Sequence, residues 1–281
     1  MNKVYWVDIS ITAKSGKHRR KLHVAYDGKR IIKINSLTEL ADAEQIYIDS
    51  SAPETYDEIL ELLKRDIKVY LLTKPQLIKE KRIEAHLAKS DENDAKVLSM
   101  IPIELFKELA FNEIVTKRKL QPLLEQYETA SKRLKVLKQW KKEGWEFEEL
   151  KALEKRLARM KRQLERRILE TAEAELKIYR FAETELGLRG VSLVSLLIHV
   201  DFSRGIHKIK GYVKRNRKIR DILAKYAVAI YTNAKKNGNG KYAEIVIKAK
   251  NRKEALKRLQ VEILKDLRRL WRKIYQEEKL R

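Results

Sequence analysis

The chain has 281 residues, no cysteine, five histidines and a formal charge of +24. Disulfides and thiolate metal sites are therefore excluded, and the length leaves room for one large or two modest domains with a sizeable core. No apolar run approaches the roughly 18 residues of a membrane span and no signal-peptide core is evident, so a soluble, cytoplasmic protein without a membrane partner is expected. The charge is unevenly spread: residues 1–102 carry a net +2, 103–186 a net +4 and 187–281 a net +18. A one-sided basic excess is the footprint of a module that tracks a polyanion such as nucleic acid. A lysine-rich heat-adapted surface would be acidic and basic together, and an anionic membrane surface would call for an amphipathic anchor that is not obvious here.

In chain order, residues 3–12, 21–26, 30–34, 45–49 and 67–73 are β-branched and aromatic runs that predict strands. Asp27-Gly28 predicts a hairpin turn, and residues 53–66 predict a helix with Pro53 at its start. Residues 76–89 read as a link to a helix capped by Ser90.

Four aspartates stand out in this first third. Asp8 lies among Val4, Trp6, Val7, Ile9 and Ile11, where a carboxylate is costly unless paired or metal-bound. Asp49 closes the run Gln-Ile-Tyr-Ile-Asp, and Asp91 and Asp94 sit one helical turn apart. Two strand-borne acids and a helical i,i+3 pair of acids supply oxygen-only ligands. Such ligands suit two Mg²⁺ or Mn²⁺ ions and in-line phosphodiester chemistry. The plainer reading makes the same residues surface and cap groups, Asp91 above all.

Residues 103–186 form a charged, heptad-patterned stretch. Leu120, Leu123, Tyr127, Ala130, Leu134 and Leu137 step by three and four, Gly144 breaks the pattern, and Leu150, Leu153, Leu157, Met160 and Leu164 resume it. An antiparallel coiled-coil hairpin is predicted, and a seam this regular also suits pairing between subunits in a homo-oligomer. Residues 187–281 begin with an apolar stretch at 191–200. Basic helices over 215–231 and 253–275 follow, with a turn at 235–241 between them. Lys208, Lys210, Lys214, Arg215, Arg217, Lys218 and Arg220 are the expected phosphate contacts. Trp271 and Tyr275 suit either base stacking or core anchoring. The fold expected is thus α/β plus all-α, with domains at 1–102, 103–186 and 187–281.

With these residues in hand, the chain resembles the DEDD-type insertion-sequence transposases, whose N-terminal domain is a RuvC-like, RNase H-like mixed sheet. The resemblance rests on Asp8, on the acid ending Gln-Ile-Tyr-Ile-Asp, on Lys-Ser-Asp-Glu-Asn-Asp-Ala-Lys-Val-Leu-Ser-Met-Ile and on the order of sheet, coiled coil and basic domain. It implies a metal-dependent recombinase or derived nuclease with Asp8, Asp49, Asp91 and Asp94 as catalytic ligands, acting on DNA and carrying a guide RNA. A non-catalytic nucleic-acid-binding protein on the same scaffold is the alternative. Two departures stand out. Asp49 replaces a glutamate usual in the family, and the nucleophilic serine that the family carries beside its basic helix is missing, since no serine follows Ser203. Ser192 and Ser195 are expected to pack, which leaves Ser203 as the exposed candidate nucleophile and hydrolysis as the expected chemistry.

Overall fold

The computed structural model describes residues 3–10, 22–145, 147–238 and 241–277. It divides into two compact units, Met1–Arg118 and Lys119–Arg281.

The first unit is built on six strands: β1 (Val4–Asp8), β2 (His23–Tyr26), β3 (Ile31–Ile34), β4 (Gln45–Ile48), β5 (Lys68–Leu72) and β6 (Phe106–Glu108). Their order is β3-β2-β1-β4-β5-β6. β1, β4 and β5 run parallel, while β2 and β6 are antiparallel to their neighbours. The expected extensions of the first two strands to residues 11, 12 and 21 lie outside the described residues. Strand alternation sends successive side chains to opposite faces. Tyr5, Val7, Ile9, Ile46, Ile48 and Val69 share one core with Ile59 and Leu62 of helix α1 (Tyr56–Lys64). Tyr47 and Leu72 face the other way, into a core with Ile78, Val97, Leu98 and Phe106.

Ile78 belongs to α2 (Gln76–Glu84), and Val97 and Leu98 to α3 (Asp91–Ser99). The segment read as a link is thus partly helical. Its residues are good helix formers but bury only Ile78, so no apolar stripe announces the helix. α3 packs on β1 and β2. Its start is where the sequence put it, with the Ser90 hydroxyl accepting a hydrogen bond from Asn93 N at 3.1 Å.

A long helix, α4 (Phe111–Lys142), leads from the first unit into the second and pairs with α5 (Glu148–Glu175). Pro122 lies inside α4 and lacks the N–H that would reach the carbonyl of Arg118, the residue at which the units part. Gly144 turns the chain at φ 88°, a conformation that glycine alone adopts without strain. Leu137, Leu150 and Leu157 form a small core with Leu134. Leu153 and Met160, expected in the same seam, are instead 45% and 39% exposed, because each heptad of α5 spends one apolar position on α4 and leaves the other outward.

The remaining helices are α6 (Lys177–Leu186), α7 (Val191–His199), α8 (Ile206–Arg215), α9 (Arg217–Asn237), α10 (Ala243–Ile247) and α11 (Arg252–Glu277). They share one core with the inner ends of α4 and α5, including Leu120, Leu124, Ile168, Leu196, Leu223, Leu259 and Leu267. The predicted turn at 235–241 starts late: α9 continues to Asn237, and Gly238 closes it in the left-handed conformation at φ 66°. Trp271 and Tyr275 pack against the core with rings 5.2 Å apart, which assigns them to anchoring. Among the described residues no helix is long and apolar enough to cross a membrane.

Candidate functional site

Two of the acidic residues of the first unit, Asp8 and Asp49, lie on adjacent strands at the C-terminal end of the parallel pair β1 and β4. Val7 pairs with Ile48 in the β1–β4 register, and Asp49 N donates to Val7 O at 3.4 Å. The next rung is therefore Asp8 beside Asp49. There the ladder changes character, because Ile9 N donates not to a carbonyl but to Asp49 Oδ1, at 2.8 Å. The Asp49 carboxylate is thereby held against the end of β1, one residue past Asp8. Ser50 Oγ donates to the same oxygen at 3.3 Å.

Burial pushes the Asp49 carboxyl up to about 6, against the lowering effect of its hydrogen bonds to Ile9 N and Ser50. A carboxyl so placed is ready to gain from a cation.

The row extends across the sheet. Asp8 pairs with Val24, and Val24 with Lys33. Trp6 packs against both Tyr26 and Tyr47, with centroids 6.3 and 6.0 Å apart, which fixes the α3 side of β1, β2 and β4. Alternation carries Asp8 and Asp49 to that side. The Lys33 Nζ to Glu92 Oε1 ion pair, at 2.9 Å, brings the first turn of α3 to the same row. Asp91 opens that turn.

Asp94, the fourth acid, is turned to α2, where Arg82 forms an ion pair with it. Both side chains are largely covered, at 16% and 12% exposure. Sequence reasoning missed Arg82, since nothing in a basic segment read as a link singles out one arginine. Among the described residues no group of three or more His, Cys, Asp or Glu side chains is gathered to hold a metal. The structure thus brings Asp8 and Asp49 together, places Asp91 on the helix above their sheet face, and neutralises Asp94 with a guanidinium. The oxygen donors of Asp8 and Asp49 fit a hard divalent cation. Asp8 and Asp49 stand on one side of this arrangement and Asp91 and Asp94 on α3, without one cluster of the four among the described residues.

In the second unit the expected phosphate contacts fall on two consecutive helices. Lys208, Lys210, Lys214 and Arg215 lie on α8, and Arg217, Lys218 and Arg220 on α9. Ile209, Val213 and Ile219 anchor the two helices in the core, so the basic groups face solvent, with Lys210 half-buried. Asn216 joins the helices and caps α9 by accepting from Ile219 N at 3.2 Å. Lys218 is engaged by Glu128 at 3.1 Å and Arg217 loosely by Asp221 at 4.0 Å.

Ser203 is exposed, but its hydroxyl donates to Asp201 Oδ1, and its backbone N–H donates to the same oxygen at 3.1 Å. Ser195 is 4% exposed and packs in α7, as expected. The chain matches no protein-family model and no curated protein.

Proposed function

We propose that this chain is a nucleic-acid-processing enzyme of transposase-like or derived-nuclease type. Its first unit is RNase H-like and cuts phosphodiesters, and its basic second unit holds DNA, or a guide RNA together with DNA. The observation that carries the reading is the Asp49 carboxylate occupying the ladder rung next to Asp8, where parallel strands end beneath α3. Asp8 and Asp49 would hold a Mg²⁺ or Mn²⁺ ion, with Asp91 the nearest further donor by its place on α3. When bound there, such an ion supplies charge neutralisation at the phosphate and an acidified water. The protein's own part is positional. Ile9 N–H and the Ser50 hydroxyl orient the Asp49 carboxylate, and Lys33 and Glu92 tie α3 to the row. Ser203, whose hydroxyl is bonded to Asp201, is given no role, so water is the proposed nucleophile.

A second reading, binding without cleavage, draws on the Arg82–Asp94 pair, which neutralises one of the four acids without any metal. One experiment separates the two. Labelled duplex and branched DNA are incubated with the protein in Mn²⁺ or Mg²⁺, and binding and cleavage are scored for wild type and Asp8→Asn. Metal-dependent cleavage that Asp8→Asn loses while still binding DNA supports the enzyme. Binding without cleavage under either metal overturns it in favour of the second reading. A covalent protein–DNA adduct abolished by Ser203→Ala would overturn the hydrolytic assignment.

A further inference from the structure

Two surface clefts of the second unit are lined by basic groups, and their electrostatics differ. The larger, about 480 Å³, is lined by Lys248, Lys257, Arg258 and Lys265 but also by Glu244 and Glu262. Most of its cations have partners: Lys248 with Glu244 at 2.9 Å, Lys265 with Glu262 at 3.0 Å, and Arg258 with Glu254 at 2.6 Å. The smaller, about 380 Å³, lies between the last turns of α9 and the start of α11. It is lined by Tyr231, Thr232, Lys235, Lys236 and Arg252, with no acid. The Arg252 guanidinium lies over the Tyr231 ring, 5.7 Å from its centroid. Lys235, Lys236 and Arg252 have no carboxylate partner among the described residues. Three like charges around one cleft repel each other, and an anion relieves that repulsion.

The position of the cleft identifies the anion. Lys235 and Lys236 follow Arg217 and Lys218 by eighteen residues on one continuous helix. Lys218 is held by Glu128 and Arg217 loosely by Asp221. Beside them at that end stand Lys214, Arg215 and Arg220, which have no carboxylate partner among the described residues. At 3.6 residues per turn eighteen residues make five full turns, so Lys235 and Lys236 share a helix face with Arg217 and Lys218, roughly 27 Å apart. A strand of duplex nucleic acid covers that distance in about eight nucleotides. A free phosphate or nucleotide would fill one end only, whereas a polynucleotide engages both.

We propose that the Tyr231–Lys235–Lys236–Arg252 cleft is a second phosphodiester-binding site, holding a nucleic-acid strand that also meets the basic face at the α8–α9 junction. The inference rests on the reading of the second unit as a nucleic-acid-binding unit and adds where the strand runs. Lys235, Lys236 and Arg252 take phosphates, and the Tyr231–Arg252 stack offers a flat cationic platform beside them.

The test uses the full chain and a fluorescent 24-base-pair duplex, with affinity measured from 50 to 300 mM salt. One variant carries Lys235→Gln, Lys236→Gln and Arg252→Gln. A control carries Lys257→Gln, Arg258→Gln and Lys265→Gln, which removes the same charge from the larger cleft. At about 0.9 per phosphate contact, the slope of log affinity against log salt should shrink by roughly 2 to 3 in the first variant. That corresponds to weakening on the order of a hundredfold at 0.1 M salt. The control should keep nearly the wild-type slope. Equal changes in both variants, or no change in the first, would overturn the site while leaving the second unit a nucleic-acid binder. Wild-type protein that binds no duplex would overturn the underlying reading, and the inference with it.

Discussion

Replacing Asp49 with asparagine tests the state of the strand-end carboxylate. The shape is kept, and the amide oxygen still accepts from Ile9 N and Ser50, while the charge is removed. Burial raises the folded-state pKa to about 6, above the roughly 3.9 of an unfolded chain. Below about pH 4 both states bind the proton and the group is neutral in each. Between about 4 and 6 the folded state binds more protons than the unfolded one, so stability falls as pH rises; above about 6 the loss is complete. About two pKa units at 1.36 kcal/mol each set an upper limit near 3 kcal/mol. Asp49 keeps part of its surface in solvent, which reduces the expected figure to about 1–2 kcal/mol.

Asp49→Asn should therefore be more stable than wild type by about 1–2 kcal/mol at pH 7.5 in EDTA, and nearly equal to it at pH 4. The assay is urea unfolding reported by Trp6, with Trp140, Trp145 and Trp271 replaced by phenylalanine so that only the first unit is seen. Adding Mn²⁺ at a hundred times its dissociation constant should stabilise wild type by about 2.7 kcal/mol and the variant less, reversing their order. A gain that is the same at pH 4 and 7.5, or no gain at all, would refute the buried-charge argument. An unchanged order in Mn²⁺ would count against Asp49 as a ligand.

Arg82→Met should destabilise the first unit by about 1–3 kcal/mol, since it strands a largely covered carboxylate, and Arg82→Met with Asp94→Asn should recover most of the loss. A urea-based double-mutant cycle with Asp94→Asn as the second single variant measures this, and a double-variant loss equal to the sum of the two single losses would show that the pair is not coupled. Asn216→Ala removes the cap of α9 and should cost about 1 kcal/mol of thermal stability in the second unit; an unchanged melting temperature would mean the helix start is held by other means.

What the sequence made legible is what short-range chemistry decides. The β-branched runs around Asp8 and before Asp49, the Ser90 cap and the Gly144 break all name their elements within a few residues. The three residues of β6 pair with β5 from more than thirty positions away, and no propensity in Phe-Lys-Glu announces that. The heptads of α5 gave the helix and its period, but which half of the stripe faces α4 depends on a partner, so Leu153 and Met160 are found outside. The Tyr231–Arg252 contact joins residues twenty-one apart, on α9 and α11 with α10 between them, again beyond any local signal.

The same distinction governs the candidate site. That four acids belong to two strand ends and one helix was readable, because each sits beside its own structural cue. Whether they converge is a tertiary matter, and it turns on Arg82, twelve residues upstream of Asp94 and marked by nothing around it. An arginine bonded to a carboxylate satisfies that group as a cation would, at the cost of one donor to a metal. The net worth of such a largely covered ion pair is small, because desolvation of both groups offsets most of the Coulombic gain, although breaking it by removing one partner is costly. A divalent ion that gathers several carboxylates gains far more, since it neutralises like charges that otherwise repel. The balance therefore favours displacement of Arg82 wherever α3 can bring Asp91 and Asp94 to the Asp8–Asp49 rung. Where α3 cannot, the same ion pair keeps Asp94 from any metal, and the second reading proposed above, binding without cleavage, is the one favoured.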